Sequence, residues 1–243
     1  MKRQKDRSNG NSGRTIILTE TGLTRVSSRM TLQDGVYEQL RHALMWGLFE
    51  PSQVTTISSL ATEFGTSHMP VREALRRLAA ENGLEIAHNG SARVPAVSRE
   101  RLDDLCRVRT TLEGLATELA TPRMRPDDIE RCRQLAVEHE ALGHTGKVHD
   151  MLRKNHEFHF AIYELSGSET LPQMIATLWL RFGPYMRLLS DLVARQLDQG
   201  IIHPYSTYHH EMIDAFRVGD GKRAGALMVD DIEATQKLLQ GLC

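Results

Sequence analysis

Four polar residues fall where the surrounding pattern expects apolar ones. Over 147–165, Val148, Met151, Leu152, Phe158, Ile162 and Leu165 recur at the spacing of one helix face, and Asn155 and His159 sit inside that stripe. Over 204–218 the stripe is Tyr208, Met212, Ile213 and Phe216, with His209 in an inward position. Over 221–240, Asp231 lies between Leu227, Met228, Ala234 and Leu238. Each of these groups would cost several kcal/mol if buried alone, so the four are expected to meet. Asn155 and His159 are four apart and share a helix face, and imidazole nitrogens with carboxylate or amide oxygens suit a divalent transition metal such as Zn2+, Ni2+ or Mn2+. A metal-free network, in which Asp231 accepts from His209 or His159, satisfies the same groups, and periodicity alone ranks it first.

A second set of residues points to nucleic acid. Arg72, Arg76 and Arg77 lie on a segment that opens with Ser67 and His68. An arginine early in a recognition helix can bond guanine O6 and N7 in the major groove, and Arg72 falls where that is geometrically feasible. Arg76 and Arg77 lie a turn farther on, where phosphate or water is the expected partner. Ser67 can donate to phosphate at the helix start, and His88, Asn89 and Gly90 can reach the DNA backbone or minor groove. Taken singly, Ser67 reads as a helix cap, and His68, Arg76 and Arg77 as a solvated face.

Enzyme signatures are weak. His156-Glu157-Phe158-His159 is one residue short of the spacing that puts two histidines of a zinc protease on one helix face. Residues 219–223 lack the length and the Ser/Thr of a phosphate loop, and there is no Gly-x-Ser-x-Gly elbow. No organic cofactor is expected.

The elements that position these residues follow from periodicity and punctuation. Val36, Leu40, Ala43 and Leu44 mark a first helix ended by Gly47; Leu60, Ala61 and Phe64 mark a second, closed by Gly65; and Val71, Ala74, Leu75 and Leu78 mark a third, over 68–80, with Pro70 in its first turn. Helix, short glycine turn, helix is a helix-turn-helix signature. Leu84 to Ile86 and Ala92 to Val94 flank Asn89-Gly90, which reads as a two-residue hairpin, a wing. Beyond Pro95 and Ser98 every segment reads as helix, near 98–120, 127–142, 147–165, 170–190 with Pro184 as a kink, 204–218 and 221–240. The fold class is therefore mainly α: an N-terminal winged helix-turn-helix over 31–97 and an all-helical bundle over 98–243. Residues 1–30, basic and poor in apolar side chains, read as a flexible arm.

Composition sets the bounds. The 243 residues are 40% hydrophobic, enough for a core, and carry a formal net charge of −1, so any anionic partner must be argued locally. Residues 1–97 carry about +3 and the remainder about −4. Three scattered cysteines fit a reducing cytoplasm, and no apolar run reaches membrane-spanning length. The protein is expected to be cytoplasmic, without a membrane partner.

Ser67 through Leu78, followed by Glu81-Asn82-Gly83-Leu84, resembles the winged helix of GntR-family transcription regulators from about Leu32 to Val97. The family usually has Arg, a common DNA contact, where this chain has His68. Residues 99–240 resemble the FCD effector domain of the FadR branch, through Arg109 to Glu113, Asn155 to His159, His209 to Ala215, Gly219-Asp220, Ala224, Met228 and Asp231-Ile232. The resemblance implies a homodimeric regulator, more often a repressor, on a palindromic double-stranded operator. Metal-holding members use an Asp and three His. Here His159 and His209 match that set, Asn155 stands in place of the Asp, and Asp231 stands in place of the third His. Arg109 is at the position of the effector-lining arginine, whose guanidinium matches a small organic acid's carboxylate, and Tyr185, Arg187 and Arg181 are candidate further donors. Occupancy would reposition the winged units through the helix beginning near Ser98. The alternatives are a metal-dependent helical hydrolase and a helical adaptor that does not bind DNA.

Overall fold

The structure, a computed structural model, describes residues 32–87, 90–200 and 206–243. His88, Asn89 and the basic arm over 1–30 lie outside them. The winged unit comprises α1 (Leu32–Met45), β1 (Val54–Thr55), α2 (Ile57–Glu63), α3 (His68–Ala80), β2 (Glu85–Ile86) and β3 (Ala92–Arg93). The helices bury the stripes that periodicity marked: Val36, Leu40 and Leu44 from α1, Leu60 from α2, and Val71, Ala74, Leu75 and Leu78 from α3. Burying each of the larger side chains contributes about 1.5–3 kcal/mol. Thr56 caps α2, its hydroxyl accepting from the Ser59 amide at 3.0 Å.

The sheet has the order β1-β3-β2, all antiparallel, so a short strand the sequence did not announce, Val54–Thr55, supports the wing from its far edge. Ile86 pairs with Ala92, and the Ala87 amide donates to the Ser91 carbonyl at 2.9 Å. Asn89, on which half of the expected two-residue turn Asn89-Gly90 falls, lies with His88 outside the described residues. Gly90 follows with φ of +80°, a conformation that tolerates glycine best.

The bundle consists of α4 (Arg99–Ala120), α5 (Pro126–Gly143), α6 (Val148–Tyr163), α7 (Thr170–Asp198), α8 (Thr207–Arg217) and α9 (Gly221–Gln240). The architecture is the mainly α one expected, a winged helix-turn-helix followed by an all-helical bundle. Helix α7 continues through Pro184 to Asp198, eight residues past its expected end. Helices α4 and α9 pack so closely that a Cβ on Gly225 would lie 2.9 Å from the Gly114 carbonyl oxygen. That approach brings Asp231 of α9 against the polar face of α4. Among the described residues no helix is long and apolar enough to cross a membrane.

Candidate functional site

Ser67 and His68 are exposed at the start of α3, and Ser67 is extended, with φ −80° and ψ 167°. Its hydroxyl makes no cap hydrogen bond, contrary to the capping role considered from sequence. The first amides of α3 therefore lack an intrahelical or side-chain acceptor there, the arrangement that receives an anion. Arg72 is exposed and, among the described residues, has no ion-pair partner. Arg76 pairs with Glu73 at 2.8 Å on the surface, an interaction of about 0–1 kcal/mol that a phosphate can displace. Arg77 is instead a brace, bonded to Asp34 at 2.8 Å and lying over the Tyr37 ring at 3.7 Å. Met69, 61% exposed, shares the outer face of α3 with Arg72; the sequence reading assigned it no role.

Within the bundle, a cavity of about 50 Å³ is lined by Arg109, His139, Asn155, His159, Trp179, Phe182 and Asp231 among others. That volume holds an ion with a few waters, or a ligand of few atoms. His159, His209 and Asp231 each offer a ligand atom, and these lie within 4.8 Å of one another. His159 Nδ1 is 3.0 Å from the Tyr163 hydroxyl, while its Nε2 is 3.4 Å from Asp231 Oδ2. His209 Nε2 lies 4.0 Å from Asp231 Oδ1, and both His209 ring nitrogens are buried without a hydrogen-bond partner among the described residues. Of the metal-free network, the contact of His159 with Asp231 is present at 3.4 Å, while His209 makes no hydrogen bond to Asp231. Ligand atoms about 2.0–2.2 Å from a tetrahedral ion stand roughly 3.3–3.6 Å apart, so the first pair fits as it stands and the second needs a small side-chain rotation.

The electrostatics suit a cation. Burial, then the Arg109 charge, holds His159 well below the usual histidine range, and burial does the same to His209, so both are neutral donors at pH 7. Burial pushes Asp231 up to about 7, against the opposing pull of Arg109. Arg109 is not a free cation. Its Nε donates to Glu113 Oε1 at 2.6 Å and its Nη2 to Oε2 at 3.3 Å, and Glu113 also accepts from Trp179 Nε1 at 3.2 Å and from the Tyr163 hydroxyl. Burial lowers the Arg109 pKa, but Glu113 more than offsets this and raises it, so the charge stays.

Sequence reasoning missed two of these residues although signals for them existed. Glu113 falls on the inward stripe of α4 with Cys106, Arg109 and Ala116, and His139 on that of α5 with Cys132, Leu135 and Ala136. His139 Nδ1 donates to the Met151 carbonyl at 2.9 Å, which turns the imidazole as a fixed wall beside His209, ring to ring at 5.2 Å. The expectation that Tyr185 and Arg187 supply donors to the effector pocket is not met. They sit on other faces of α7: the Tyr185 hydroxyl bonds Ser98, and Arg187 pairs with Glu50 at 2.5 Å. His156 also points away from the ligand cluster, stacked on Phe160 at 4.2 Å.

A winged helix-turn-helix with an exposed basic recognition helix, joined to a helical bundle enclosing a polar cavity, defines a DNA-binding regulator with a ligand-responsive domain. The family model for bacterial regulatory proteins of the gntR family matches residues 32–94, and that for the FCD domain matches residues 104–234; the chain belongs to the GntR family and carries an FCD domain. The HTH-type transcriptional regulator McbR of Escherichia coli (strain K12) is 34% identical over 164 residues, covering 68% of this chain and 73% of that protein. The HTH-type transcriptional repressor GlaR of the same organism is 30% identical over 149 residues, 60% of this chain and 67% of that protein. The solved structure of E. coli McbR/YncC superposes with a TM-score of 0.81 at 27% identity, over 88% of this chain and 99% of that one. The protein is a transcription regulator and not an enzyme, and neither the hydrolase nor the adaptor alternative has support among these relatives.

The Arg109–Glu113 pair yields a stability prediction. Glu113→Ala strands a buried guanidinium, so denaturant unfolding should show a loss of about 3–5 kcal/mol. A loss under about 1 kcal/mol would mean that the pair is solvated.

Proposed function

We propose that this chain is a cytoplasmic homodimeric repressor whose α3 helix and wing read a palindromic operator, and whose bundle responds to a small carboxylate that binds beside a divalent ion. Ser67, His68, Arg72, Arg76 and the wing residues His88, Asn89 and Gly90 form the DNA-facing set. His159, His209 and Asp231, with Asn155 on the same cavity wall, would hold Zn2+, Ni2+ or Mn2+. The observation that carries the ion is His209, whose two buried nitrogens have no other partner among the described residues. Val108 and Leu115, 40% and 44% exposed and seven apart on α4, support a second copy as the partner of that helix face.

Charge accounting gives the ion a role in effector binding. Arg109 and Glu113 cancel, the two imidazoles are neutral, and an ionised Asp231 leaves the cavity at −1. A divalent ion reverses that to +1 and supplies a Lewis-acidic centre for a carboxylate oxygen. Arg109, with donors left beyond those taken by Glu113, orients the same anion. An acid should therefore bind after the ion, and a differential affinity of about 1.4 kcal/mol between two arrangements of the winged units changes operator occupancy tenfold.

Four measurements check this reading. Arg72→Ala should weaken binding to the operator by about 1–3 kcal/mol at fixed salt and relax base discrimination; unaltered affinity and specificity remove Arg72 from base reading. Protein purified without chelator should contain near-stoichiometric metal that His209→Ala lacks. Zinc affinity should fall about tenfold between pH 8 and pH 6, because Asp231 gains its proton near 7 while the histidines are already neutral. In gel-shift titrations with small carboxylic acids, operator occupancy should change only when the ion is present, and occupancy that never moves across the panel counts against effector control.

A further inference from the structure

Helix α7 belongs to two places at once. Trp179, Phe182, Met186, Leu189 and Val193 line the cavity, and the Phe182 ring lies 4.3 Å from the Arg109 guanidinium carbon. The residues between them hold the winged unit. Gly183 meets the end of α1 so closely that a Cβ there would overlap the Leu44 carbonyl oxygen. Gly47, with φ of +70°, approaches from the other side: a Cβ on it would stand 2.6 Å from the Arg187 amide nitrogen. Arg187 then bonds Glu50 at 2.5 Å and Asp191 at 3.2 Å. The Tyr185 hydroxyl accepts from the Ser98 amide at 3.2 Å and donates to its carbonyl at 2.9 Å, and Ser98 caps α4 through the Arg101 amide. Leu180 fills the space over Gly83, at the end of the turn that follows α3.

Phe182 and Met186 alternate with Gly183, Tyr185 and Arg187 within about a turn and a half of one continuous helix, so a backbone displacement at the cavity face is carried to the clamping face. The contacts at Gly183 and Gly47 are backbone against backbone, with no flexible side chain to absorb a displacement. We infer that Gly183, Tyr185 and Arg187 are positioning residues that transmit the filling of the cavity to the winged unit, with α7 as the transmitting element and α4 held to it through Ser98. The inference rests on the effector-controlled reading above. It moves the route from the helix beginning at Ser98, expected from sequence, to the helix that clamps Ser98.

The test uses the full chain, a duplex enriched from a random pool by the parent protein, and Zn2+ alone as the cavity probe. Glu50→Gln and Tyr185→Phe each remove one clamp without touching the cavity wall. Both should take up zinc with parent affinity in calorimetry, while the zinc-induced change in duplex affinity seen in the parent shrinks at least about threefold. Mere structural weakening would lower the unfolding midpoint and leave that zinc-induced ratio intact. If the ratio persists in both variants, or if zinc binds the parent and never alters its duplex affinity, α7 is not the route. Should the parent take up no zinc, the ion reading fails separately, and a ligand-free cycle decides the coupling. In that cycle Met186→Ala should alter duplex affinity less in the Glu50→Gln background than in the parent, and additive effects would overturn the inference.

Discussion

Glu113 has no exposed side-chain surface, and donors from three helices converge on it: Arg109 from α4, Tyr163 from α6 and Trp179 from α7. A lone buried carboxylate would be untenable, so α6 and α7 must stay at the distances that keep it satisfied. The same constraint orients the rest of the cavity. Tyr163, held by Glu113, meets His159 Nδ1, which leaves Nε2 of that imidazole facing Asp231. Arg109 is stretched along the wall beneath Trp179 and Phe182. The buried ion pair is a poor source of net stability, yet it is a strong specifier of geometry, because few other arrangements of four side chains satisfy it.

Specified in this way, the wall of the cavity is also the wall against which the winged unit rests. Gly183 and Gly47 place backbones in direct contact, and His156 of α6 stands between Trp46 of α1 and Trp179 of α7, edge to face at 6.5 Å and 5.3 Å between ring centres. Packed interiors do not deform smoothly, so a ligand that asks for more than the present volume must shift whole elements. A cavity of about 50 Å³ is small enough to make that demand on the binding of a modest organic acid.

The sequence made the helices legible because each buries a stripe with a 3.6-residue period, and the inward Asn155, His159, His209 and Asp231 stood out as interruptions of those stripes. What periodicity could not deliver was direction around α7. Tyr185 and Arg187 share that helix with Phe182 and Met186, but a helix enclosed on several sides carries no polar face by which to orient it, and sequence alone could not say which neighbour each side chain met. Residues 54–55 are too short a strand to leave a pattern, since their pairing is set by β3 and not by local preference. Glu113 and His139 interrupt their stripes just as visibly, but Arg109, four residues before Glu113, has a charge that suits an external ligand as well as an internal partner, and spacing alone does not separate the two.

The place of the carboxylate in the ligand cluster completes the physical picture. With Asn155 on α6 and Asp231 on α9, the three candidate ligands come from α6, α8 and α9, one from each. Helix α9 is locked to α4 at Gly225, which meets the Gly114 carbonyl, and by Gln236 and Gln240, which both donate to Asp103 near the start of α4. An ion held by Asp231 would therefore tie α6 and α8 to the α4–α9 pair. Because α4 begins at Ser98, gripped by Tyr185, the ion would already load α7 through that grip, and the acid that follows it would press on α7 directly.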